Sequence, residues 1–333
     1  MDTTLSLIIP VYKVEAYIEA CLCSVLQQLP DWAEVIIVDD GSPDGAIGIA
    51  EEVLCRYPQH KRQVSILRQE NQGLSEARNQ GIAHAEGRYI GFLDSDDVLL
   101  EGYFSILGRL LADNPLADIV AFNAQRFSAI NHGKIQPDGT LAIVPGNAAP
   151  QQRDAHMALL ADSFNRSMWF AWARIYRKTL FDQARFPAGR NFEDIQLIPQ
   201  LYLKAQRIVV CDTPLVGYRA NPNGITRAPK RRDLDDLDYA LEGADSGRRQ
   251  GMGQGLYSVL FVTTLKARLL VGLDFFGLRD ALRETRELKR RYSGLRAEER
   301  KMLSRKNRLF YRSPLAYYLM ARLYNLRGGR VKL

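Results

Sequence analysis

Residues 88–97 read RYIGFLDSDD: a β-favouring apolar run, Tyr89, Ile90, Phe92 and Leu93, that ends on three acids, Asp94, Asp96 and Asp97. Nothing between Arg88 and Asp94 is charged, so the run suits a buried strand. Carboxylates crowded at a strand end repel one another, and their pKa values rise unless a cation joins them. The bland reading is a solvated loop that caps the next helix, since Asp is a good N-cap. The sharper reading is a divalent-cation site.

Upstream, the chain alternates between two periods. LSLIIPV (5–11) is continuously apolar, as parallel-sheet strands are. An amphipathic helix is expected over about 14–29, with Val14, Tyr17, Ile18, Cys21, Val25 and Leu29 on one face. EVIIVDDGS (34–42) is a second strand ending in acids and a Gly-Ser turn. A helix through Ile49, Val53 and Leu54 leads to a third strand, VSILR (64–68). Ser75 is expected to N-cap the next helix, which closes at Gly87. This β-α-β-α-β-α-β order specifies an α/β fold with a doubly wound, mostly parallel, Rossmann-like sheet. Ligands of such sheets bind outside the carboxyl ends of the strands. Three of the four strands end in polar clusters there: PVYK from Pro10, DDGS (39–42) and DSDD (94–97). One acidic strand end is usually a turn, but several on one edge make a site.

Downstream the pattern is less regular. A helix around 103–114 leads to a strand at 118–127, and 131–150 reads as a hairpin or loop. NFEDIQLIPQLYLKA (191–205) is a largely buried helix, and RIVVCDTPLVGYR (207–219) reads as two short edge strands. From about Asp233 only helices are expected, the last opening at Ser313-Pro314 and closing at Gly328-Gly329. The chain thus divides into an α/β domain, 1–230, and a basic, aromatic-rich helical region, 231–333.

At 333 residues and 46% hydrophobic content the chain can bury a sizeable core. Cys21, Cys23, Cys55 and Cys211 show neither zinc spacing nor a small-scaffold disulfide framework, which fits a reducing, cytoplasmic setting. Only four histidines are present, so any metal is expected to be oxygen-ligated, Mg²⁺ or Mn²⁺. The start, MDTTLSLIIPVYK, has an acid at position 2 and a short apolar run, so neither a signal peptide nor a membrane span is expected. Net charge is +7, yet residues 279–333 hold 17 Lys/Arg against 5 Asp/Glu, an excess of +12, leaving −5 for the remainder. A nucleic-acid binder would explain that tail but not an acidic body with aligned carboxylates, so nucleic acid is not an expected partner.

Asp39, the segment 71–81, the acid cluster and Glu193-Asp194 are expected on one edge, and they suit a nucleoside diphosphate. Asp39 can accept from the imide of a uracil-like base, with Tyr12 as a wall. Asp94 can hold the ribose, Arg78 can reach the phosphates, and Asp96 can hold a Mg²⁺ or Mn²⁺ that bridges them. Pro10 and Ser95, in the same turns, join the donor-binding candidates. Each has a bland reading: Asp39 and Asp40 as an Asx turn at Gly41, Glu193-Asp194 as the acidic first turn of a helix, Arg78 as a surface residue. Trp169 and Trp172 read as core, with an aromatic acceptor platform as the alternative.

IIPVYK (8–13), VIIVDDGS (35–42), NQGLSEARNQG (71–81), GRYIGFLDSDD (87–97) and FED (192–194) occur in the order and spacing of the family 2 glycosyltransferases, which this chain resembles over about 5–227. Singly these motifs are weak, and together they are specific. The resemblance implies a GT-A fold, with Asp39 as base-binding acid and Asp94 and Asp96 as the DxD pair. It makes Asp194 the catalytic base of an inverting transfer, with Glu193 helping to position the acceptor. YRANPNGITR (218–227) is similar to a further family segment, in which Arg227 would bind the diphosphate. The implied partners are a nucleotide-sugar donor and a glycan or lipid-linked saccharide acceptor, in bacterial surface-polysaccharide synthesis. Two departures stand out: Lys13 where the family usually has Asn, and Pro43 and Gly45 after DDGS.

Two other enzyme classes fit less well. DSDDV matches the DxDx[TV] pattern of haloacid-dehalogenase phosphatases, but those carry it on the first strand. A Rossmann dehydrogenase needs G-x-G-x-x-G after strand 1, and IIPVYKVEAYI has no glycine.

No run reaches the ~18 to 20 apolar residues a membrane span requires. The stretch 313–329 instead sets Leu315, Tyr318, Leu319, Leu323 and Leu326 on one face, with Arg322 and Arg327 near its end. Such a helix suits an anionic membrane surface, so residues 279–333 are expected to hold the protein peripherally on the cytoplasmic face. The alternative is that these helices pack on the rest of the chain or form the interface of a homodimer.

Overall fold

The computed structural model describes residues 3–131, 134–144, 153–221 and 229–326. In chain order the elements are β1 (Leu5–Val11), α1 (Ile18–Leu26), β2 (Ala33–Asp39), α2 (Ala46–Arg56), β3 (Val64–Arg68), α3 (Leu74–His84), β4 (Tyr89–Phe92), β5 (Val98–Leu99) and α4 (Tyr103–Asp113). There follow β6 (Ile119–Asn131), β7 (Lys134–Leu141), α5 (Arg153–Arg166), β8 (Arg174–Arg177), α6 (Glu193–Lys204), β9 (Ile208–Arg219), α7 (Arg232–Arg249), α8 (Leu256–Arg291), α9 (Arg305–Arg312) and α10 (Pro314–Leu326). The chain forms two compact units: Met1–His156 with Trp169–Gly224, and Met157–Met168 with Ile225–Leu333.

The first unit is a sheet ordered β3-β2-β1-β4-β8-β6-β9-β5, with β7 paired to β6. Its first four strands are parallel, as expected of a doubly wound half. Every residue of β1 is buried, so the strand can only sit at the sheet centre. Helix α3 lies close on it: a Cβ at Gly81 would come within 2.4 Å of the Ile8 side chain, so only glycine permits that approach. Beyond β4 the sheet becomes mixed, with β8 antiparallel to both β4 and β6, while β9 runs parallel to β6.

Three local expectations are corrected. Helix α1 starts at Ile18, because Val14–Tyr17 form a turn in which Tyr17 N–H donates to Val14 O at 2.8 Å. Ser75 caps nothing: Gly73 precedes α3 and Ser75 is buried within it, while the helix stops at His84. Residues 208–219 are one strand, not two, and not at the edge, since β9 lies between β6 and β5. Its register breaks opposite Asn123, where Asp212 and Thr213 fall out of the ladder. The region from 131 does begin as a hairpin, β6–β7, as expected, and residues 145–152 lie outside the described part.

The second unit is helical. Leu237 and Leu241 of α7, Val259, Phe261 and Leu265 of α8, and Phe310 of α9 form its core. Arg248 is tied inside it to Asp245 at 2.5 Å, to Glu299 at 3.1 Å and to Tyr292 O at 2.9 Å. Helix α8 bends at Gly277, whose φ of 68° and ψ of 174° leave the helical region. Asn165 of α5 is held by the far end of the chain: it donates to Met302 O at 2.9 Å, and its side-chain oxygen accepts Ser304 N–H at 2.7 Å. Asn307 Nδ2 donates to Asn165 O at 2.9 Å. Among the described residues no helix is long and apolar enough to cross a membrane.

Candidate active site

The carboxyl ends of β1 and β2 lie side by side, Val11 opposite Asp39. Pro10 is buried in β1, and Tyr12, 41% exposed, stands just beyond it. One oxygen of Asp39 accepts Ser42 N–H at 2.9 Å, so the bland turn reading is present. Asp39 Oδ2 has no hydrogen-bond partner among the described residues, which leaves it available to a ligand. Lys13 N–H donates to Ser42 Oγ at 2.8 Å and joins the two turns, with Lys13 at φ 56°.

Asp40 does more than form a turn. It is 2% exposed. One of its oxygens accepts from Gln69 Nε2 and Gln72 N, both at 2.8 Å; the other accepts from Gly73 N at 2.9 Å and Asn71 Nδ2 at 3.2 Å. This single carboxylate shapes the loop that leads into α3. Sequence reasoning missed it because its partners lie about 30 residues away.

Arg78 is the hub. It is 1% exposed and ion-paired to Glu193 at 2.6 Å, to Asp94 at 2.8 Å and to Asp194 at 3.5 Å. Its guanidinium lies over the rings of Phe186 and Phe92. Burial opposes its charge, but Asp94, Asp194 and Glu193 outweigh burial and hold its pKa above the ordinary arginine value. The expectation that Arg78 reaches the phosphates is corrected: its charge is committed to three carboxylates in the interior. It is no surface residue either.

Glu193 and Asp194 open α6 after Phe192, which takes the left-handed conformation at φ 56°. Both acids sit at the positive end of the helix dipole, yet they also meet Arg78, so the bland and sharp readings coexist. Glu193 is buried and its Oε1 accepts from Arg78. Asp194 Oδ2 accepts Ala171 N–H at 3.1 Å. Burial, then the neighbouring Glu193, push the Asp194 carboxyl up to about 8, with Arg78 opposing. Phe170, Trp172 and Tyr218 stack beside this segment, with centroids 5.1 and 5.2 Å apart. Trp169 and Trp172 are buried, as expected of core residues.

The acid cluster is anchored from the end of β9. Arg219 N–H donates to Asp97 Oδ1 at 2.7 Å, Arg219 Nε to Asp96 O at 2.6 Å, and Asn221 Nδ2 to Asp96 Oδ2 at 2.8 Å. The Arg219 guanidinium lies between the rings of Tyr17 and Phe127. Arg219 and Asn221 were missed as site residues, although both belong to the quoted 218–227 segment. Ser95 is buried between the acids. Burial, then Asp94, raise the Asp96 pKa, with Asn221 and Arg219 opposing. Asp97 is raised further by burial, Asp96 and Asp94, and its buried Oδ2 has no partner among the described residues. Arg227 lies outside the described residues.

Among the described residues no three His, Cys, Asp or Glu side chains close on one metal position. A Mg²⁺ or Mn²⁺ would therefore draw on a single carboxylate of the chain, with its other ligands supplied from outside it. Asp96 is half-buried, its Oδ1 carries no hydrogen bond among the described residues, and Asp94 and Asp97 add a negative field.

Known proteins resemble the chain in sequence and in fold. Residues 6–174 match the family model described as Glycosyl transferase family 2. The chain is 33% identical over 241 residues to the uncharacterized glycosyltransferase EpsJ of Bacillus subtilis, covering 71% of this chain and 67% of that protein. It is 28% identical over 235 residues to the glycosyltransferase GlyA of Streptococcus pneumoniae, covering 68% of this chain and only 32% of that protein. Among solved structures, S. aureus TarS 1-349 in complex with UDP-GlcNAc superposes with a TM-score of 0.67 at 18% identity, over 99% of this chain and 93% of that one. The mannosyltransferase PcManGT of Pyrobaculum calidifontis, in complex with GDP-Man and Mn²⁺, reaches 0.51 at 16% identity, over 99% and 89%. These likenesses carry the fold, which is the GT-A arrangement.

Proposed function

The chain belongs to glycosyl transferase family 2 and is a glycosyltransferase; from that premise we propose that it moves a sugar, with inversion, from a nucleotide-diphosphate donor to a hydroxyl of a glycan or lipid-linked saccharide. A UDP-sugar is the donor class, and bacterial surface polysaccharide is the product. The observation that carries this reading is the Arg78 hub, which ties the Asp94 end of β4 to Glu193-Asp194 on α6 within one edge of the sheet.

Each residue has a task. Asp39 accepts from the base with Tyr12 as its wall, and Asp94, oriented by Arg78, takes the ribose. Asp96 would hold Mn²⁺ or Mg²⁺, which neutralises charge on the departing diphosphate. Asp194, fixed by Ala171 N–H, takes the acceptor proton as the hydroxyl attacks, because an alcohol far above neutral in pKa needs a nearby carboxylate. Its raised pKa makes it a stronger base than a solvated Asp. Glu193 holds Arg78 and so positions Asp94 and Asp194 together. Arg227 is assigned to the diphosphate by the family motif alone.

The same reading places the protein peripherally on the cytoplasmic face of a membrane through 279–333. In support, α10 buries Tyr317 and Ala321 and turns Leu315, Leu319 (48% exposed), Met320 and Leu323 (60%) to solvent, within a segment of strong positive excess.

Incubation with a panel of nucleotide-sugars and Mn²⁺ tests the reaction. Release of nucleoside diphosphate, lost in Asp194→Asn, is the expected result. Phosphate release from phosphomonoesters, with no nucleotide-sugar turned over, would sink the proposed transfer.

A further inference from the structure

The helical unit holds a cation cluster that the transfer reaction does not use. Arg286 and Arg290, one turn apart on α8, and Lys289 beside them line a recess of about 290 Å³ with Gly294 and Tyr311. Lys289 Nζ sits 4.2 Å from the centre of the Tyr311 ring and donates to Tyr311 O. Burial, then Arg300, lower the Lys289 pKa, as expected where positive charges crowd.

No carboxylate answers these charges. Among the described residues Arg286, Lys289, Arg290 and Arg300 have no ion pair, while the nearby acids serve other bases. Glu287 pairs with Arg283 at 3.9 Å, Glu242 with Arg291 at 3.6 Å and Glu298 with Lys301 at 2.7 Å. The cations are not needed to finish the helix either. Tyr292, Ser293 and Gly294 N–H already bond Leu288, Arg290 and Lys289 O at 3.0–3.1 Å. Like charges gathered around one recess, with no carboxylate among them, make a local positive field that favours a visiting anion.

We propose that this recess binds a phosphoryl group. Two guanidinium forks spaced by one helical turn suit the oxygens of a tetrahedral dianion better than a single carboxylate, and Lys289 adds a point charge over the Tyr311 floor. The phosphoryl group has two sources, the headgroup of an anionic phospholipid or a free phosphate compound. None of these residues touches the carboxylate hub, so the proposal is independent of the transfer chemistry, while its lipid arm deepens the membrane placement proposed for 279–333.

The test uses the full chain at low ionic strength. Inorganic phosphate is titrated against wild type and Arg286→Ala/Arg290→Ala, read by melting temperature, and both are floated with vesicles of equimolar phosphatidylglycerol and phosphatidylcholine. Because phosphate also enters a donor site, the readout is the difference between the two proteins. The double variant should lose at least about tenfold in one assay, with its ligand-free melting temperature unchanged, since both arginines are exposed. Loss in flotation identifies a lipid headgroup; loss in the phosphate titration alone identifies a free phosphate. Arg286→Lys/Arg290→Lys, which keeps the charge and removes the fork, should fall between them. A double alanine variant that matches wild type in both assays overturns the proposal.

Discussion

At Lys13 the backbone sits at φ 56°, a region that L side chains enter at a cost and Asn enters more readily. The family's usual Asn at this position thereby has a physical reason, and Lys13 bears strain. Its hydrogen bond to Ser42 comes from the backbone, so the side chain is replaceable. Lys13→Asn should therefore stabilise the protein by about 0.5 to 1 kcal/mol, read by denaturant midpoint. Asp194 carries the opposite balance. Its acid form is favoured by burial, so the folded state binds a proton that the unfolded state has released between the usual carboxyl range and about 8. Its stabilising share is present at low pH and lost as pH rises through about 8. Asp194→Asn should lose kcat by ~10² to 10⁴ with donor affinity kept. Its melting temperature should gain on wild type as pH climbs from 6 to 9. The wild-type rate should have an ascending limb near 8 in the free enzyme; a flat profile over that range would remove Asp194 from the role of base.

Between elements, Asp40 joins the end of β2 to the loop that feeds α3, through four hydrogen bonds to one buried carboxylate. Asp40→Ala should cost about 1 to 3 kcal/mol, because it strands two backbone N–H groups, and it should raise donor KM more than it lowers kcat. Loss of kcat alone would show that the loop does not shape the donor pocket. What the sequence displayed at this scale followed its periodicity. β1 to β4 were legible because each is an apolar run bounded by polar turns. β9 was not, because Asp212, Thr213 and Pro214 interrupt the run while the pairing to β6 continues past them. The start of α1 was misplaced because Val14 is apolar but precedes a turn. The acids were visible by type and spacing; the buried Arg78 hub was not, because its partners lie 16 and 115 residues away.

For the whole molecule, surface docking and internal packing of the last helices make different demands on α10. Leu319→Glu with Leu323→Glu alters only solvent-facing positions, so it should leave the fold intact and reduce co-sedimentation with anionic liposomes. Unchanged sedimentation would return that face to a packing or dimer role. Truncation is a poorer test, for a reason that lies in α5. Its Asn165 is satisfied by Met302, Ser304 and Asn307, up to 142 residues later. At a synthesis rate of about 5–20 residues per second, a ribosome needs roughly 7 to 28 seconds to cover that distance. During that interval the polar groups of Asn165 lack their late partners, and α5, which carries the buried Leu159, Leu160 and Phe164, should present an unfinished face to holdase chaperones. Chains stopped at 291 should keep that state permanently and partition into the insoluble fraction, whereas slowing synthesis of the full chain should lengthen its chaperone dependence without changing the final yield of folded enzyme.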